Sequence, residues 1–99
     1  MNKQEAKKVL SEKVTEYRSL NYERLRAKIN QEKDVFEIKA PSGATYYIDI
    51  IVVWDDKPNG IIRVMGCIDD GGFRAFFPMG GEGFLLAPNG SFVGEDDAG

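Results

Sequence analysis

Clustered carboxylates, a few arginines and one cysteine are the side chains of this 99-residue chain with the clearest potential for chemistry. Histidine is absent, which excludes Ser-His-Asp and Cys-His catalysis and His-ligated metal sites. The single cysteine, Cys67, cannot form a disulfide within the chain or supply a multi-cysteine metal site. We therefore expect no metal and no cofactor. The absence of histidine and the single cysteine also favour a protein that is not an enzyme.

The acidic and glycine-rich segments favour turns over ion or phosphate sites. Residues 55–60, DDKPNG, begin like an EF-hand loop, but Lys57 occupies its third position and Gly66 replaces the glutamate needed at the twelfth. Residues 69–72, DDGG, have the composition of a tight turn. Residues 80–83, GGEG, are not followed by the Lys and Ser/Thr of a P-loop. We expect a turn or a flexible connection at each place.

The elements that must position these residues divide into helices and strands. Apolar residues recur at helical spacing over residues 3–31, and Asn21 has the side chain of an N-cap, which favours two helices over one kinked helix. After residue 33 the period changes to two, which predicts strands at 35–40, 44–54, 61–68, 73–77, 84–88 and 91–93. We predict an α+β fold, with one or two N-terminal helices packed on one face of an antiparallel meander of about five or six strands.

The length indicates one domain over residues 1–95, followed by a disordered tail at 96–99. The first residues contain no apolar stretch of the signal-peptide type, and no apolar run is long enough to span a bilayer. The single cysteine suits a reducing compartment, so we expect a cytoplasmic protein.

The formal charge of −3 combines a balance of +3 over residues 1–34 with −6 over residues 35–99. Glutamates interleave the basic residues of the helical part, as they do on a solvated helix face. Because the acidic sheet part would also repel phosphates, we expect neither a nucleic-acid partner nor a membrane partner.

The strand period separates an apolar face of the sheet from a mixed second face. The second face carries Thr45, Tyr47, Asp49, Ile51, Val53, Ile61, Arg63, Met65, Cys67, Asp69, Arg74 and Phe76. We expect the helices to cover the apolar face. Exposed apolar patches often mark interfaces, so we expect the second face to dock a partner protein, a second copy of the chain, or the chain's own C-terminal hairpin.

Strand pairing about the two acidic turns predicts a polar row on this second face. Asp49 is expected beside Cys67, and Cys67 beside Arg74. The candidate site comprises Tyr47, Asp49, Arg63, Cys67, Arg74 and Phe76. In the functional interpretation, Arg74 binds a carboxylate or phosphate and favours the thiolate of Cys67. In the structural interpretation, the row is a cross-strand ion pair around a passive cysteine.

Three strings, WDDKPNGIIRVMG, IDDGGFRAFFP and FLLAPNGSFVGE, together resemble a family of short bacterial proteins with no assigned activity. The resemblance covers roughly residues 35–95. It implies a compact α+β unit and brings no cofactor or catalytic residue.

These features predict a small non-enzymatic protein-binding module of a bacterial cell. The alternative is a small-molecule-binding protein or minor enzyme that uses Asp49, Cys67 and Arg74.

Overall fold

The chain forms two helices and an antiparallel sheet, which confirms the predicted α+β class. The computed structural model describes residues 3–69, 74–75 and 83–94, with backbone alone for 74–75. The elements are α1 (Lys3–Arg18), α2 (Tyr22–Lys28), β1 (Asp34–Lys39), β2 (Thr45–Trp54), β3 (Ile62–Asp69), β4 (Arg74–Ala75) and β5 (Gly83–Leu86). The predicted tail at 96–99 and the outer parts of the predicted strand 73–77 lie outside the described residues.

The helical part consists of two helices, as the sequence favoured. In α1 the residues buried at helical spacing include Ala6, Leu10, Val14 and Tyr17. In α2 the side-chain oxygen of Asn21 accepts a hydrogen bond from the backbone N–H of Arg24 at 2.8 Å, the geometry of an N-cap.

The second helix ends at Lys28, earlier than the predicted residue 31. The N–H of Ile29 donates to the carbonyl of Arg26 at 3.1 Å, and the N–H of Gln31 donates to the carbonyl of Lys28 at 3.1 Å. Bonds between residues three apart tighten the last turn and end the α-helix.

The strands lie in the order β1-β2-β3-β4, and β5 also pairs with β3. Because β2 occupies one edge of β3, β4 and β5 share the other edge. In the described residues the sheet therefore holds five strands but is four strands wide, narrower than the predicted meander of five or six adjacent strands. The predicted returning strand over 91–93 contributes one isolated bridge, between Leu86 and Phe92.

Two of the three Pro-X-Gly segments, at residues 41–43 and 88–90, form the same three-residue loop. The N–H of Ala40 donates to the carbonyl of Ala44 at 2.8 Å, and Gly43 between them has φ +95°. The N–H of Ala87 donates likewise to the carbonyl of Ser91 at 2.9 Å, with Gly90 at φ +91°. The sequence Asn89-Gly90 is typical of a two-residue hairpin turn with positive φ at both residues, but here only the glycine adopts the left-handed region.

The core lies between the helices and one face of the sheet. Its buried residues are Ala6, Val9, Leu10, Val14, Tyr17, Leu25, Ala40, Tyr46, Ile48, Ile50, Val52, Ile62, Val64, Ile68, Phe84 and Leu86. Helix α1 approaches β3 most closely at Gly66, where a Cβ would stand 2.8 Å from Cδ1 of Leu10 and 3.1 Å from Cγ2 of Val14. The missing side chain of Gly66 thus sets the distance between helix and sheet.

The C-terminal hairpin extends the sheet and does not lie across its second face. Phe84 and Leu86 are buried on the helix side, and the rings of Phe84 and Phe92 meet edge to face at 5.5 Å between centroids. The guanidinium carbon of Arg18 lies 5.0 Å from the centroid of each ring, a cation–π arrangement that ties the hairpin to α1. One of the expected covers for the second face is therefore placed elsewhere.

We predict that Gly66→Ala destabilises the fold. Where the backbone permits it, replacing glycine by alanine stabilises the folded state by up to ~1 kcal/mol, because the unfolded chain has less conformational freedom to lose. Overpacking a core, in contrast, costs about 1–3 kcal/mol of folding free energy. With contacts as short as 2.8 Å the second effect should win, for a net loss of about 1–2 kcal/mol in urea denaturation. Met65→Ala, on the opposite face and 36% exposed, serves as the control and should change stability little. Equal stability of Gly66→Ala and the unsubstituted chain would contradict the close approach.

Candidate functional site

The structure confirms the first half of the predicted polar row. Asp49 and Cys67 are directly opposite each other in the β2–β3 pairing. The carboxylate of Asp49 accepts a hydrogen bond from Nζ of Lys33 at 2.8 Å. Lys33 lies just before β1, in which Val35 is paired with Asp49, so the lysine is a diagonal neighbour of the aspartate. The negative charge in the row is therefore already matched by a cation that the sequence analysis did not assign to it.

The second half of the row has a different register. Arg74 is paired with Asp69, not with Cys67, so it stands two residues further along β3 than predicted. The shift of two keeps Arg74 on the same face by strand alternation. Phe76, the last member of the predicted site, lies outside the described residues.

Arg63 and Tyr47 are on the predicted face but away from the centre of the row. Nε of Arg63 donates to the carboxylate of Asp55 at 2.9 Å, at the start of the β2–β3 turn. Tyr47 is 37% exposed and is paired with Glu37 on one side and Asp69 on the other. Each of these polar side chains thus has its own place across the face, and they do not converge on one point.

Cys67 is buried, with 8% of its surface exposed. An exposed thiolate in a positive environment is what makes a cysteine reactive. The cysteine is close to a carboxylate and poorly accessible, so the geometry favours the structural interpretation of the row over the chemical one.

Apolar side chains dominate the rest of this surface, which we call the outer face and define by Val35, Tyr47, Asp49, Ile51, Val53, Arg63, Met65, Cys67 and Leu85. Val35 is 59% exposed and Met65 is 36% exposed. Ile51 lies directly opposite Met65, within side-chain contact range for an antiparallel pair. In the part of the chain that the structure describes, no helix or strand packs across the outer face, because both helices lie on the core face.

Two apolar members of the outer face were missed by the sequence analysis. Val35 lies on the same side of β1 as the polar residues Glu37 and Lys39, so strand alternation alone would have placed it on the outer face. Leu85 is opposite Arg63 in the β3–β5 pairing. The sequence pattern could not predict its pairing partner. Register can be counted only between strands that a short turn connects, and residues 70–82 separate β5 from β3.

A cleft lies beside the outer face, at the end of β2. Its volume is about 340 Å³, and it is lined by Lys28, Ile29, Gln31, Glu32, Lys33, Asp34, Ile50, Ile51, Val52 and Val53. Another groove of about 440 Å³ lies between the helices, lined by Glu16, Tyr17, Leu20, Arg24, Ala27, Lys28 and Gln31. Neither of these two cavities includes Asp49 or Cys67, so the predicted polar row is not the wall of either.

A hydrogen-bonded triad stands at the mouth of the cleft. Tyr17 donates its hydroxyl to the carboxylate of Asp34, which also accepts from Nζ of Lys28 at 3.1 Å. The hydrogen bond from Tyr17 lowers the pKa of Asp34, partial burial opposes this, and Lys28 lowers it further. Burial, reinforced by the bond to Asp34, raises the pKa of Tyr17. The triad joins α1, the end of α2 and the start of β1.

Comparison with known proteins adds no assignment. Searches of protein families, of curated proteins and of solved structures found no match. Within the described ranges, no three Asp, Glu or Cys side chains are placed to share a metal ion. Of the helices that the structure describes, neither has the length and hydropathy to cross a membrane. Function must therefore be argued from the geometry.

We predict that Cys67 reacts slowly with a thiol reagent in the folded state. Because the thiol is 8% exposed, reaction requires local opening, and labelling with a dithiobis-nitrobenzoate reagent should be at least about tenfold slower than in denaturant. Labelling at the rate of the denatured chain would restore the interpretation of Cys67 as a reactive group.

We predict that Asp34 contributes to acid sensitivity. Its pKa is lower in the folded state than in the unfolded state, so the unfolded chain takes up its proton first as the pH falls. The contribution is fully present above the unfolded pKa of about 4 and is lost as the pH falls through the lower folded value. Asp34→Asn should flatten this part of the stability profile in urea denaturation at pH 2–5, and the matched Asp56→Asn, an exposed turn residue, should not. Identical profiles for Asp34→Asn and the unsubstituted chain would contradict the role of the triad.

Proposed function

We propose that the chain is a non-enzymatic protein-binding module that docks its partner on the outer face of the sheet. The observation that carries the proposal is the group of apolar side chains on this face, led by Val35 at 59% exposure and Met65 at 36%. Apolar side chains that are exposed on a sheet surface gain less from folding than those in the core, and apolar patches on a surface are typical of interfaces.

The arrangement of charge around the apolar group supports the same proposal. The Lys33–Asp49 pair links β2 to the chain before β1, and the Arg63–Asp55 pair stands at the start of the β2–β3 turn. Between them, Ile51 and Met65 are opposite each other with no charged side chain in the pair. An apolar centre with compensated charges at its margin is the usual anatomy of a protein interface.

We propose that the partner is another bacterial protein met in the cytoplasm, or a second copy of this chain. The bacterial and cytoplasmic parts rest on the family resemblance and on the single, buried cysteine. Light scattering across a wide concentration range separates the two partners, since a second copy predicts a mass that doubles as concentration rises and a different protein predicts a constant monomer mass.

The alternative proposal is a small-molecule site or minor enzyme built on Asp49, Cys67 and Arg74. The pairing of Asp49 with Cys67 is the observation in its favour. Against it stand the ion pair of Asp49 with Lys33, the burial of Cys67 and the placement of Arg74 opposite Asp69. We therefore rank it second.

Site-specific crosslinking in bacterial cells tests the docking proposal. A photoreactive residue at Met65 should yield one dominant crosslinked protein species, and the same residue at Lys8, on the wet side of α1, should not. Adding Val35→Glu should reduce the Met65 crosslink at least about tenfold, because a charge placed within an apolar interface opposes its burial.

Circular dichroism serves as the fold control for Val35→Glu, which should fold normally because Val35 is 59% exposed. Equal crosslinking from Met65 and Lys8, or a Met65 crosslink that Val35→Glu leaves unchanged, would refute docking on the outer face.

A further inference from the structure

The strand β2 is longer than its neighbour β1, which leaves part of one edge open. The pairing of β1 with β2 ends at Asp34 opposite Ile50, whereas β2 continues to Trp54. On the other side, β3 pairs with β2 along its length up to Trp54 opposite Ile62. The last residues of β2 therefore have a neighbouring strand on one side only. We call residues 51–54, on the side facing away from β3, the open edge.

The direction of the backbone groups on the open edge follows from the register. The N–H of Asp55 donates to the carbonyl of Ile61 at 2.8 Å, so the odd-numbered residues at this end of β2 turn their backbone groups towards β3. Val52 and Trp54 must then turn their N–H and C=O groups outward. Among the described residues, none donates a hydrogen bond to these groups or accepts one from them.

The open edge borders the 340 Å³ cleft at the end of β2. The chain over residues 28–34 forms the opposite wall. On this wall Ile29 is the apolar residue among polar and charged ones, and Ile51 and Val53 contribute apolar side chains from the outer face. The space thus offers an outward-facing strand edge together with apolar contacts on both sides of the sheet plane.

The two lysines that line the cleft are already matched. Lys28 pairs with Asp34 at 3.1 Å, and Lys33 pairs with Asp49 at 2.8 Å. A strongly charged ligand would have to compete with these pairs, whereas an uncharged ligand would leave them intact. Glu32, the remaining charged residue of the lining, is exposed and can stay hydrated beside an uncharged segment. The cleft therefore suits an uncharged, apolar ligand.

We propose that the open edge binds an extended, apolar segment of a partner protein as an added strand. An exposed strand edge has unpaired N–H and C=O groups, and the backbone of another extended segment can bond to them. The side chains at alternate positions of the added segment then determine which sequences bind. A second copy of this chain fits less well. Its own open edge also faces a wall formed by residues 28–34, and these two walls would keep the two edges from pairing.

The register defines what the segment must contain. The segment must offer free backbone groups opposite Val52 and Trp54, which excludes proline at the positions that bond to them. Its side chains alternate between the core side, next to Val52 and Ile29, and the outer face, next to Ile51 and Val53. Apolar residues are therefore favoured at successive positions, because each side chain has an apolar neighbour on its own side of the sheet.

This site adjoins the docking surface proposed above and shares Ile51 and Val53 with it, but its bonds are different. The open edge is bonded through backbone atoms at the margin of the sheet, whereas the proposed function relies on side chains such as Val35 and Met65. Either proposal can fail while the other stands, since the crosslinking position Met65 does not line the cleft.

Amide hydrogen exchange of the full chain, measured by NMR, tests the open edge directly. The amides of Ile51 and Val53 should be protected through their bonds to β3, and those of Val52 and Trp54 should exchange at least about tenfold faster. Equal protection of all four amides would show that the edge is not open and would overturn the proposal.

A display library of random seven-residue linear peptides, panned against the full chain, supplies the probe for binding. The selected peptide should slow exchange at Val52 and Trp54. N-methylation of the peptide at alternate residues should weaken its binding at least about tenfold, and N-methylation at the intervening residues should not, because only alternate amides face the edge.

Filling the cleft provides the matched protein variants. Gln31→Trp, at an exposed position that lines the cleft, should weaken peptide binding at least about tenfold, and Lys8→Trp, exposed on α1, should not. Circular dichroism confirms that both variants fold. Failure to select any peptide, or selection of peptides that leave the Val52 and Trp54 amides unchanged, would refute strand addition at this edge.

Discussion

The contact between α1 and β3 at Gly66 is the constraint on which the rest of the structure depends. With no side chain at Gly66, Leu10 and Val14 lie directly on the sheet, and α1 covers the centre of its core face. The second helix packs on the same side, where Leu25 is fully buried. Both helices are thus committed to one face. In the described structure, the outer face consequently has no cover from any helix or strand.

This asymmetry gives the outer face its character. A sheet with one covered face usually alternates apolar and polar residues, and its uncovered face is then polar. Here the uncovered face retains Val35, Ile51, Val53 and Met65, while its charged residues form pairs. The departure from simple alternation is what points to binding. The open edge of β2 follows from a different cause, since β1 ends opposite Ile50 and leaves the last residues of β2 without a neighbour.

Local signals predicted most of the fold, and features set by distant pairing were missed. The Asn21 cap, the strand alternation and the pairing of Asp49 with Cys67 follow from neighbouring residues or from a countable turn. The smaller width of the sheet could not be predicted, because the alternation of residues within each strand does not show that β4 and β5 pair with the same edge of β3. The position of Arg74 opposite Asp69 differs from the prediction because it depends on the geometry of a glycine-rich connection, for which spacing gives no unique register.

The central claim is that apolar side chains of the outer face are in water until a partner covers them. Relaxation of methyl groups by a soluble paramagnetic agent measures this directly in the full chain. The account predicts strong relaxation at Val35 and Met65, weak relaxation at Leu10 and Ile48, and loss of the strong relaxation when the crosslinked partner protein is added. Weak relaxation at Val35 and Met65 in the isolated chain, or strong relaxation that the bound partner leaves unchanged, would contradict it.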